Sequence, residues 1–265
     1  LAEALSSVTG LDITDFVCEW EKYHTNGDIS LFLENVNRKC PDISHVYLLD
    51  DNVGGNNLTA INQVCFSHFS SLPHFKYIAN MHGNEILGRE LLLMLAHDLC
   101  TGWRKNDQKI TNLIKLTRIH LLPTMNPDGW SKAFHTSKDR ETVGRENANK
   151  VDLNRNFPNL DAVVFKNVEK NGPFDHLYNY SQEKNKNSNL VDRQPTKETR
   201  MIMQWLDRYN FVLSANMHGG DLVANYPYDS SPSGRADIYT DESLHAEKRS
   251  HMEFRVGDNR ECKLQ

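Results

Sequence analysis

Apolar side chains recur with clear periods in several parts of the chain, and these periods predict its helices and strands. Residues 30–36 carry apolar side chains at helical spacing, which predicts a short amphipathic helix. Residues 75–81 alternate and are rich in aromatic and β-branched side chains, so we expect a strand there. The apolar content of residues 84–99 is too long and continuous for a strand and indicates a buried helix.

The second half of the chain continues this succession of strands and helices. The same criteria predict a strand over residues 119–124, a helix over residues 196–209 and a strand over residues 211–217. Strands that alternate with helices predict an α/β fold. We expect a mixed, largely parallel central sheet with helices on both faces.

Other segments lack a periodic pattern. Residues 50–63 are polar and contain Gly54-Gly55, which predicts a loop, and the Asn-Pro-Asp-Gly sequence at 126–129 predicts a turn that polar residues 131–150 continue as a loop. Residues 166–197 are rich in lysine and asparagine and are expected to form a mobile surface excursion. Residues 230–265 have few apolar side chains and cannot be assigned to a core.

The composition excludes several classes of protein. The chain has 265 residues, of which 38% are apolar and 25% charged, and its formal net charge is -5. A mildly acidic chain lacks the clustered cations that binding to a phosphate backbone needs, so no nucleic-acid partner is expected. No run approaches the roughly 18 apolar residues of a membrane-spanning helix, so no transmembrane segment is expected.

The five cysteines and two glycosylation sequons bear on the compartment. No Cys-x-x-Cys pair occurs, which argues against a zinc ribbon or an iron–sulfur site, and the odd count leaves the disulfide pairing open. The sequons begin at Asn57 and Asn179 and favour a secreted protein. The chain begins at Leu1 without a charged and apolar leader, so we expect any signal peptide to lie outside this sequence.

Side chains with potential chemistry follow the predicted strands. His82 and Glu85 come after the strand at 75–81, and His218 comes after the strand at 211–217. Open α/β sheets bind their ligands at the carboxyl ends of the strands. Two imidazoles and a carboxylate are the ligand set of many catalytic zinc sites, and residues three apart can reach one point. The sequence therefore predicts a metal site of His82, Glu85 and His218.

Several blocks of sequence, taken together, resemble the zinc metallocarboxypeptidases, and most closely their regulatory N/E group. The blocks stand in the family's order: FKYIANMHGNE at 75–85, NPDG at 126–129, GREN at 144–147, DLNRNFP at 152–158 and SANMHGGDLVANYPYD at 214–229. The resemblance implies a metallocarboxypeptidase-like fold with one Zn²⁺ per chain, held by His82, Glu85 and His218.

The resemblance also implies roles for the residues around the metal. Asp152 matches a carboxylate that orients a ligand imidazole, and Arg145 matches the arginine that stabilises the oxyanion. Asn154 and Arg155 match the pair that binds the terminal carboxylate of the substrate, and Asp229 matches the carboxylate that selects C-terminal Lys or Arg.

A function follows from these implied roles. The expected reaction is hydrolysis that removes C-terminal Lys or Arg, and the expected partners are peptides or proteins ending in those residues. Secretion, or storage in a secretory granule, is likewise implied by the resemblance.

The chain departs from the family after its third ligand. No block reproduces the strand that carries the family's general-base glutamate, although Glu242, Glu247, Glu253 and Glu261 are present. We therefore expect residues 1–229 to form a catalytic domain that is incomplete at its C-terminal end. Residues 230–265 are expected to be a poorly ordered tail outside the family, arising from truncation, alternative splicing or an aberrant gene model.

Two alternative functions remain open at this stage. The missing glutamate suggests a catalytically inactive protein that binds zinc and peptide. The second alternative is a zinc deacylase of the same architecture acting on N-acyl amino acids, although Asn154, Arg155 and Asp229 favour a peptide substrate.

Overall fold

The structure is a computed structural model of the chain. It describes residues 23–51, 54–64, 72–136, 142–157 and 195–220, and the backbone of residues 223–225 and 251–257. The helices are α1 (Asn26–Lys39), α2 (Leu87–Arg104), α3 (Gln108–Leu116), α4 (Pro127–Phe134) and α5 (Lys197–Arg208). A short 3₁₀ turn spans Leu153–Arg155. The strands are β1 (Ser44–Asp51), β2 (Asn57–Gln63), β3 (His74–Ala79), β4 (Arg118–Leu122), β5 (Phe211–Gly220), β6 (Val223–Asn225) and β7 (His251–Gly257).

The strands in the described part of the chain form one sheet in the order β1-β2-β4-β3-β5-β7-β6. The central pairs β4–β3, β3–β5 and β5–β7 are parallel. The pairs β1–β2, β2–β4 and β6–β7 are antiparallel. The predicted mixed sheet is confirmed, and its parallel pairing is confined to the centre.

Helices cover both faces of this sheet, as predicted. On one face α1 and α2 pack against side chains that include Phe75, Tyr77 and Ala79 of β3. On the other face, α5 contributes Met201, Ile202 and Trp205 to a second core that includes Ile78 of β3. Because successive side chains of a strand point to opposite faces, one short strand supplies both cores.

Local sequence signals set the helix starts. Thr25 caps α1 in a capping box with Asp28, and Thr196 caps α5 by accepting a hydrogen bond from the Thr199 amide. A disulfide joins Cys40, at the end of α1, to Cys100 in α2. The disulfide therefore ties together the two helices on one face.

The predicted loop over residues 50–63 is wrong at both ends, because β1 continues to Asp51 and β2 occupies Asn57–Gln63; residues 54–56 between them lie outside helix and strand, as predicted. Every residue of β2 after Asn57 is buried, including the polar Thr59, Asn62 and Gln63. A strand buried on both faces shows no apolar–polar alternation, and its polar residues resemble those of a loop. The turn predicted at residues 126–129 and the first part of the loop predicted from residue 131 are also wrong, because α4 runs from Pro127 to Phe134 with Asn126 as its N-cap.

Some predictions concern residues outside the described ones. The surface excursion predicted at residues 166–197 lies outside the described residues except for residues 195–197. Most of residues 230–265 also lie outside them. Within that C-terminal segment β7 adds a parallel strand beside β5. The domain boundary at residue 229 stays a prediction. In the part of the chain that the structure describes, no helix has the length and apolar character needed to cross a membrane.

Candidate metal centre

The parallel strands β3 and β5 bring His82, Glu85 and His218 to one edge of the sheet. His82 and Glu85 lie in the turn between β3 and α2, which we call the ligand turn (residues 81–86), and His218 lies near the end of β5. The Glu85 amide donates to the His82 carbonyl across 3.1 Å, so a turn, and not yet a helix, sets the spacing of three.

The carboxylate of Glu85 joins the two imidazoles. Its Oε1 lies 2.8 Å from His82 Nδ1, and its Oε2 lies 2.9 Å from His218 Nδ1. The two Nδ1 atoms are 3.2 Å apart, and both histidines are buried. All three potential ligand atoms lie within 4.8 Å of one another. We call these three residues the ligand cluster.

The ligand cluster fits a small divalent cation. A tetrahedral zinc ion with bonds of about 2.0–2.1 Å holds its ligand atoms about 3.3 Å apart. The two Nδ1 atoms, 3.2 Å apart, are close to that separation, and each lies within 3 Å of one oxygen of the Glu85 carboxylate. Imidazole nitrogens and a carboxylate oxygen are also the donors that zinc prefers, so these side chains could hold the ion.

Asp152 determines which nitrogen of His82 faces the cluster. The Asp152 Oδ1 lies 3.0 Å from His82 Nε2, on the opposite side of the ring from Glu85. A carboxylate in this position accepts a hydrogen bond from Nε2–H of His82. The lone pair on Nδ1 is then directed at the cluster. Asp152 is held in turn by the Asn154 amide, which donates to Oδ1 over 2.9 Å.

Both carboxylates of the site favour the charged form. Burial alone would raise the pKa of Glu85, but hydrogen bonds and charge from His218 and His82 lower it to about 2. Burial likewise works against ionisation of Asp152, but the charges of His82 and Arg145 and its hydrogen bonds hold its pKa below the ordinary value. The site therefore presents negative charge to a cation at neutral pH.

Arg145 lies beside the ligand cluster and remains partly accessible. Its Nε and Nη2 contact Asp152 Oδ2 at 3.1 and 2.9 Å. Its Nη1 lies 3.3 Å from His82 Nδ1 and 3.6 Å from Glu85 Oε1, and 39% of the side chain is exposed. The guanidinium is thus anchored on one edge by a carboxylate and directed at the cluster on the other.

The other predicted site residues differ in what the structure describes. Asn154 and Arg155 lie in the 3₁₀ turn directly after Asp152, where Asn154 is half-buried and Arg155 is exposed. The Arg155 Nη1 donates to the carbonyl of Asn154 over 2.9 Å. Asp229 lies outside the described residues.

The ligand turn is held by residues to which the sequence assigned no role. A Cβ atom on Gly83 would lie 2.1 Å from the backbone of Gly129 and Trp130, so only glycine allows this close approach. Asn126 is fully buried, caps α4, and donates to the carbonyls of Met81 and Arg145, at 3.2 Å each. The available signal was an asparagine followed by a proline, which is typical of a helix cap.

Together, the fold and the ligand cluster define a mixed α/β protein whose site could hold a metal ion at the ends of its parallel strands. The chain belongs to the zinc carboxypeptidase family, a family of hydrolases, because the family's sequence model matches residues 29–259. The matched range includes the ligand cluster and extends past residue 229 to β7.

Curated relatives and solved structures support this assignment. The chain is 44% identical over 217 residues to the carboxypeptidase N catalytic chain of Mus musculus, a match that covers 79% of this chain and 45% of the relative. It is 44% identical over 219 residues to carboxypeptidase E of Caenorhabditis elegans, with 80% and 44% covered. The chain thus spans about 45% of the length of these relatives.

The fold is also similar to that of a solved carboxypeptidase A from Helicoverpa armigera. The TM-score is 0.66 at 16% identity, and the match covers 100% of this chain and 71% of that one. At this identity the likeness concerns the fold alone.

Proposed function

We propose that this chain is the zinc-binding part of a carboxypeptidase that removes C-terminal Lys or Arg from peptides. The observation that carries the proposal is the convergence of His82, Glu85 and His218, from two separate segments, beside the guanidinium of Arg145. His82 Nδ1, His218 Nδ1 and the Glu85 carboxylate would hold the ion. When bound, zinc lowers the pKa of its water and polarises a carbonyl group.

Arg145 supplies a fixed positive charge for the reaction. Hydrolysis of a peptide bond places negative charge on the carbonyl oxygen, and a preorganised cation stabilises that charge. The Nη1 of Arg145 is directed at the cluster because Asp152 holds the opposite edge of the guanidinium. Its partial exposure leaves room for a substrate to approach.

Binding of the peptide's C-terminus is assigned to three residues by the resemblance. Asn154 and Arg155 would bind the terminal carboxylate, for which the planar guanidinium of arginine is well suited. Asp229 would pair with the basic side chain of the last residue. The position of Asn154 and Arg155, in the 3₁₀ turn that Asp152 caps, supports this assignment.

The proton acceptor of the reaction is not assigned to a residue of this sequence. A general base must take a proton from the attacking water, and the sequence has no block like the family's glutamate strand. Glu253 lies on β7, in register with Asn216 of β5, while Glu242, Glu247 and Glu261 lie outside the described residues. A protein that binds zinc and peptide without turnover is kept as the second candidate function, and the peptide assay below distinguishes the two.

We further propose that the chain works in the secretory pathway or outside the cell. The disulfide between Cys40 and Cys100 is of a kind that persists in oxidising compartments. The sequon residue Asn57 is exposed at the start of β2, while Asn179 lies outside the described residues.

A pair of peptides tests the proposed function. The zinc-loaded full chain is expected to release Arg from a peptide that ends in a free C-terminal carboxylate. It should not cleave the same peptide when the C-terminus is amidated, and a chelator should abolish the activity. Arg155→Ala should raise the KM at least tenfold, whereas Arg104→Ala, an exposed arginine at the end of α2, should not. Binding of the free peptide without cleavage would support the inactive alternative. The absence of both would contradict the proposal.

A further inference from the structure

Asn80 is a buried polar residue that no step of the proposed reaction uses. It follows β3 directly, its side chain is fully buried, and its backbone has a φ of 56°. Left-handed backbone is unfavourable for most residues with a side chain, and asparagine is among the few that adopt it. The chain therefore turns sharply here, two residues before His82.

The side-chain amide of Asn80 binds the ligand turn from inside. Its Nδ2 lies 2.9 Å from the carbonyl oxygen of His82, 3.0 Å from that of Gly83 and 3.1 Å from that of Glu85. A primary amide carries two N–H donors, so these three carbonyls share two hydrogens. One nitrogen thus connects both ligand-bearing residues of the turn.

The oxygen of the same amide is held by two donors. Asn80 Oδ1 accepts from Thr124 Oγ1 at 2.8 Å and from Arg89 Nη1 at 3.4 Å. A guanidinium only donates hydrogen bonds and a carbonyl only accepts them, so the amide can take only this orientation. The donors of Asn80 are therefore fixed on the ligand turn.

Arg89 is itself anchored through both of its terminal nitrogens. Its side chain is fully buried and lies over the ring of Trp130, 4.2 Å from the centroid. It also donates to Asn26 Oδ1 at 3.0 Å and to the carbonyl of His24 at 2.9 Å. Asn80 thus connects the ligand turn to a rigid part of the core.

We propose that Asn80 is a positioning residue of the metal centre, which sets the ligand turn so that His82 and Glu85 meet His218. The proposal rests on the proposed function and deepens it. Metal–ligand distances tolerate deviations of only about 0.2 Å, and two of the three ligands depend on the turn that Asn80 binds. A displaced turn would change the distances of both from His218 on β5.

Two substitutions of Asn80 separate the loss of its side-chain N–H donors from effects on the backbone and on charge. Asn80→Asp and Asn80→Gly both tolerate left-handed backbone, and neither can donate to the three carbonyls. Asn80→Asp also adds negative charge close to the cation, which by itself would strengthen cation binding. Weaker binding in both variants therefore identifies the lost donors as the cause.

Asn106 offers a matched control for the backbone. It also has a left-handed backbone, with a φ of 55°, but it is exposed between α2 and α3 and far along the chain from the ligand turn. Asn106→Asp and Asn106→Gly make the same chemical changes at a position with the same backbone requirement. These control variants should bind metal as the unaltered chain does.

The test uses Co²⁺ as the probe with the full chain, reading its affinity and its visible absorption spectrum. Both Asn80 variants should bind Co²⁺ about 10- to 100-fold more weakly, as is typical when an outer partner of a ligand is lost. Their cobalt spectra should change because the ligand geometry changes. In peptide hydrolysis kcat should fall, while KM stays within about twofold of the unaltered value because substrate contacts are intact.

The outcomes distinguish this proposal from the proposed function. If the unaltered chain binds no Co²⁺, both are wrong. If the unaltered chain and both folded Asn80 variants bind Co²⁺ equally and give the same spectrum, only the role of Asn80 is wrong. Should the Asn80 variants fail to fold, Thr124→Val removes one donor to Oδ1 and should weaken Co²⁺ binding in the same direction. Unchanged binding and an unchanged spectrum in Thr124→Val would then overturn the proposal.

Discussion

Two pairs of histidines lie towards opposite ends of the central strands, with nearly the same spacing. In the ligand cluster, the Nδ1 atoms of His82 and His218 are 3.2 Å apart. Towards the other end, Nδ1 of His74 and Nε2 of His120 are 3.1 Å apart. Spacing alone therefore does not distinguish the two pairs.

Their surroundings do distinguish them. His82 contacts the carboxylates of Glu85 and Asp152, whereas His120 Nδ1 bonds the hydroxyl of Tyr47 at 2.7 Å. The Trp205 indole donates to that hydroxyl at 3.0 Å. We call the second group the aromatic cluster; its members are Tyr47, His74, His120, Trp205, Tyr209 and Phe211. Among the described residues, no carboxylate is hydrogen-bonded to either of its histidines.

The difference shows what turns a histidine pair into a metal site. A carboxylate between the imidazoles compensates the charge of a cation, and an outer carboxylate fixes the tautomer. In the aromatic cluster, burial lowers the pKa of His120 to about 3 and also lowers the pKa of His74. That pair stays neutral and supports the core.

The largest expected effect comes from removing the central carboxylate. Glu85→Gln keeps the shape of the side chain but loses the negative charge between the two imidazoles. We expect zinc affinity to fall by more than the roughly 10- to 100-fold cost of losing an outer partner. Competition with a chelator measures this loss.

Glu34→Gln provides the control for that substitution. It makes the same chemical change at an exposed position of α1, outside the ligand cluster. This substitution should leave zinc affinity unchanged. Equal affinities for Glu85→Gln and the unaltered chain would contradict the comparison.

The next effect concerns the carboxylate that orients His82. Asp152→Asn should weaken zinc binding about 10- to 100-fold, because an amide can stabilise the wrong tautomer of the ring. Asp98→Asn is the matched control, since Asp98 contacts His97 at 3.0 Å but is 69% exposed on α2. If the two substitutions changed zinc affinity by the same factor, the outer carboxylate would have no special role.

The smallest effect is the acid sensitivity of the aromatic cluster. The pKa of His120 is lower in the folded chain than in the unfolded chain, so the unfolded state binds more protons between these values. This contribution to stability is present above pH 6.5 and is lost as the pH falls, by about 2 kcal/mol at pH 5. Urea unfolding of the metal-free chain at both pH values measures the loss.

A substitution separates this contribution from general acid effects. His120→Gln should lower stability at pH 7 but should lose about 2 kcal/mol less than the unaltered chain between pH 7 and pH 5. His135→Gln, at an exposed histidine after α4, is the control for losing an imidazole at the surface. The same pH dependence in all three proteins would show that His120 is not buried in its neutral form.

The sequence predicted those parts of the fold in which pattern and burial agree. The strand at β3 and the helix α5 were predicted because each has a regular apolar period. β2 was missed because it buries Thr59, Asn62 and Gln63, so polar residues did not mark an exposed face. Its place between β1 and β4 depends on long-range pairing that no local pattern encodes.

The residues of the candidate site also fall into those that the sequence predicted and those that it did not. His82, Glu85 and His218 were predicted because ligands need particular residue types after particular strands. Asn80 and Asn126 received no role, because their contacts are to backbone carbonyls brought together only by the fold. The hydrogen bonds of a buried amide cannot be derived from a period or a spacing.

The central claim is that His82, Glu85 and His218 share one divalent ion, whereas His74 and His120 do not. Anomalous diffraction at the zinc absorption edge, from crystals of the zinc-loaded full chain, tests this most directly. We predict one peak about 2.1 Å from Nδ1 of both His82 and His218 and from the Glu85 carboxylate, with no peak at the aromatic cluster. A zinc peak at the aromatic cluster, or none at the ligand cluster, would contradict the account.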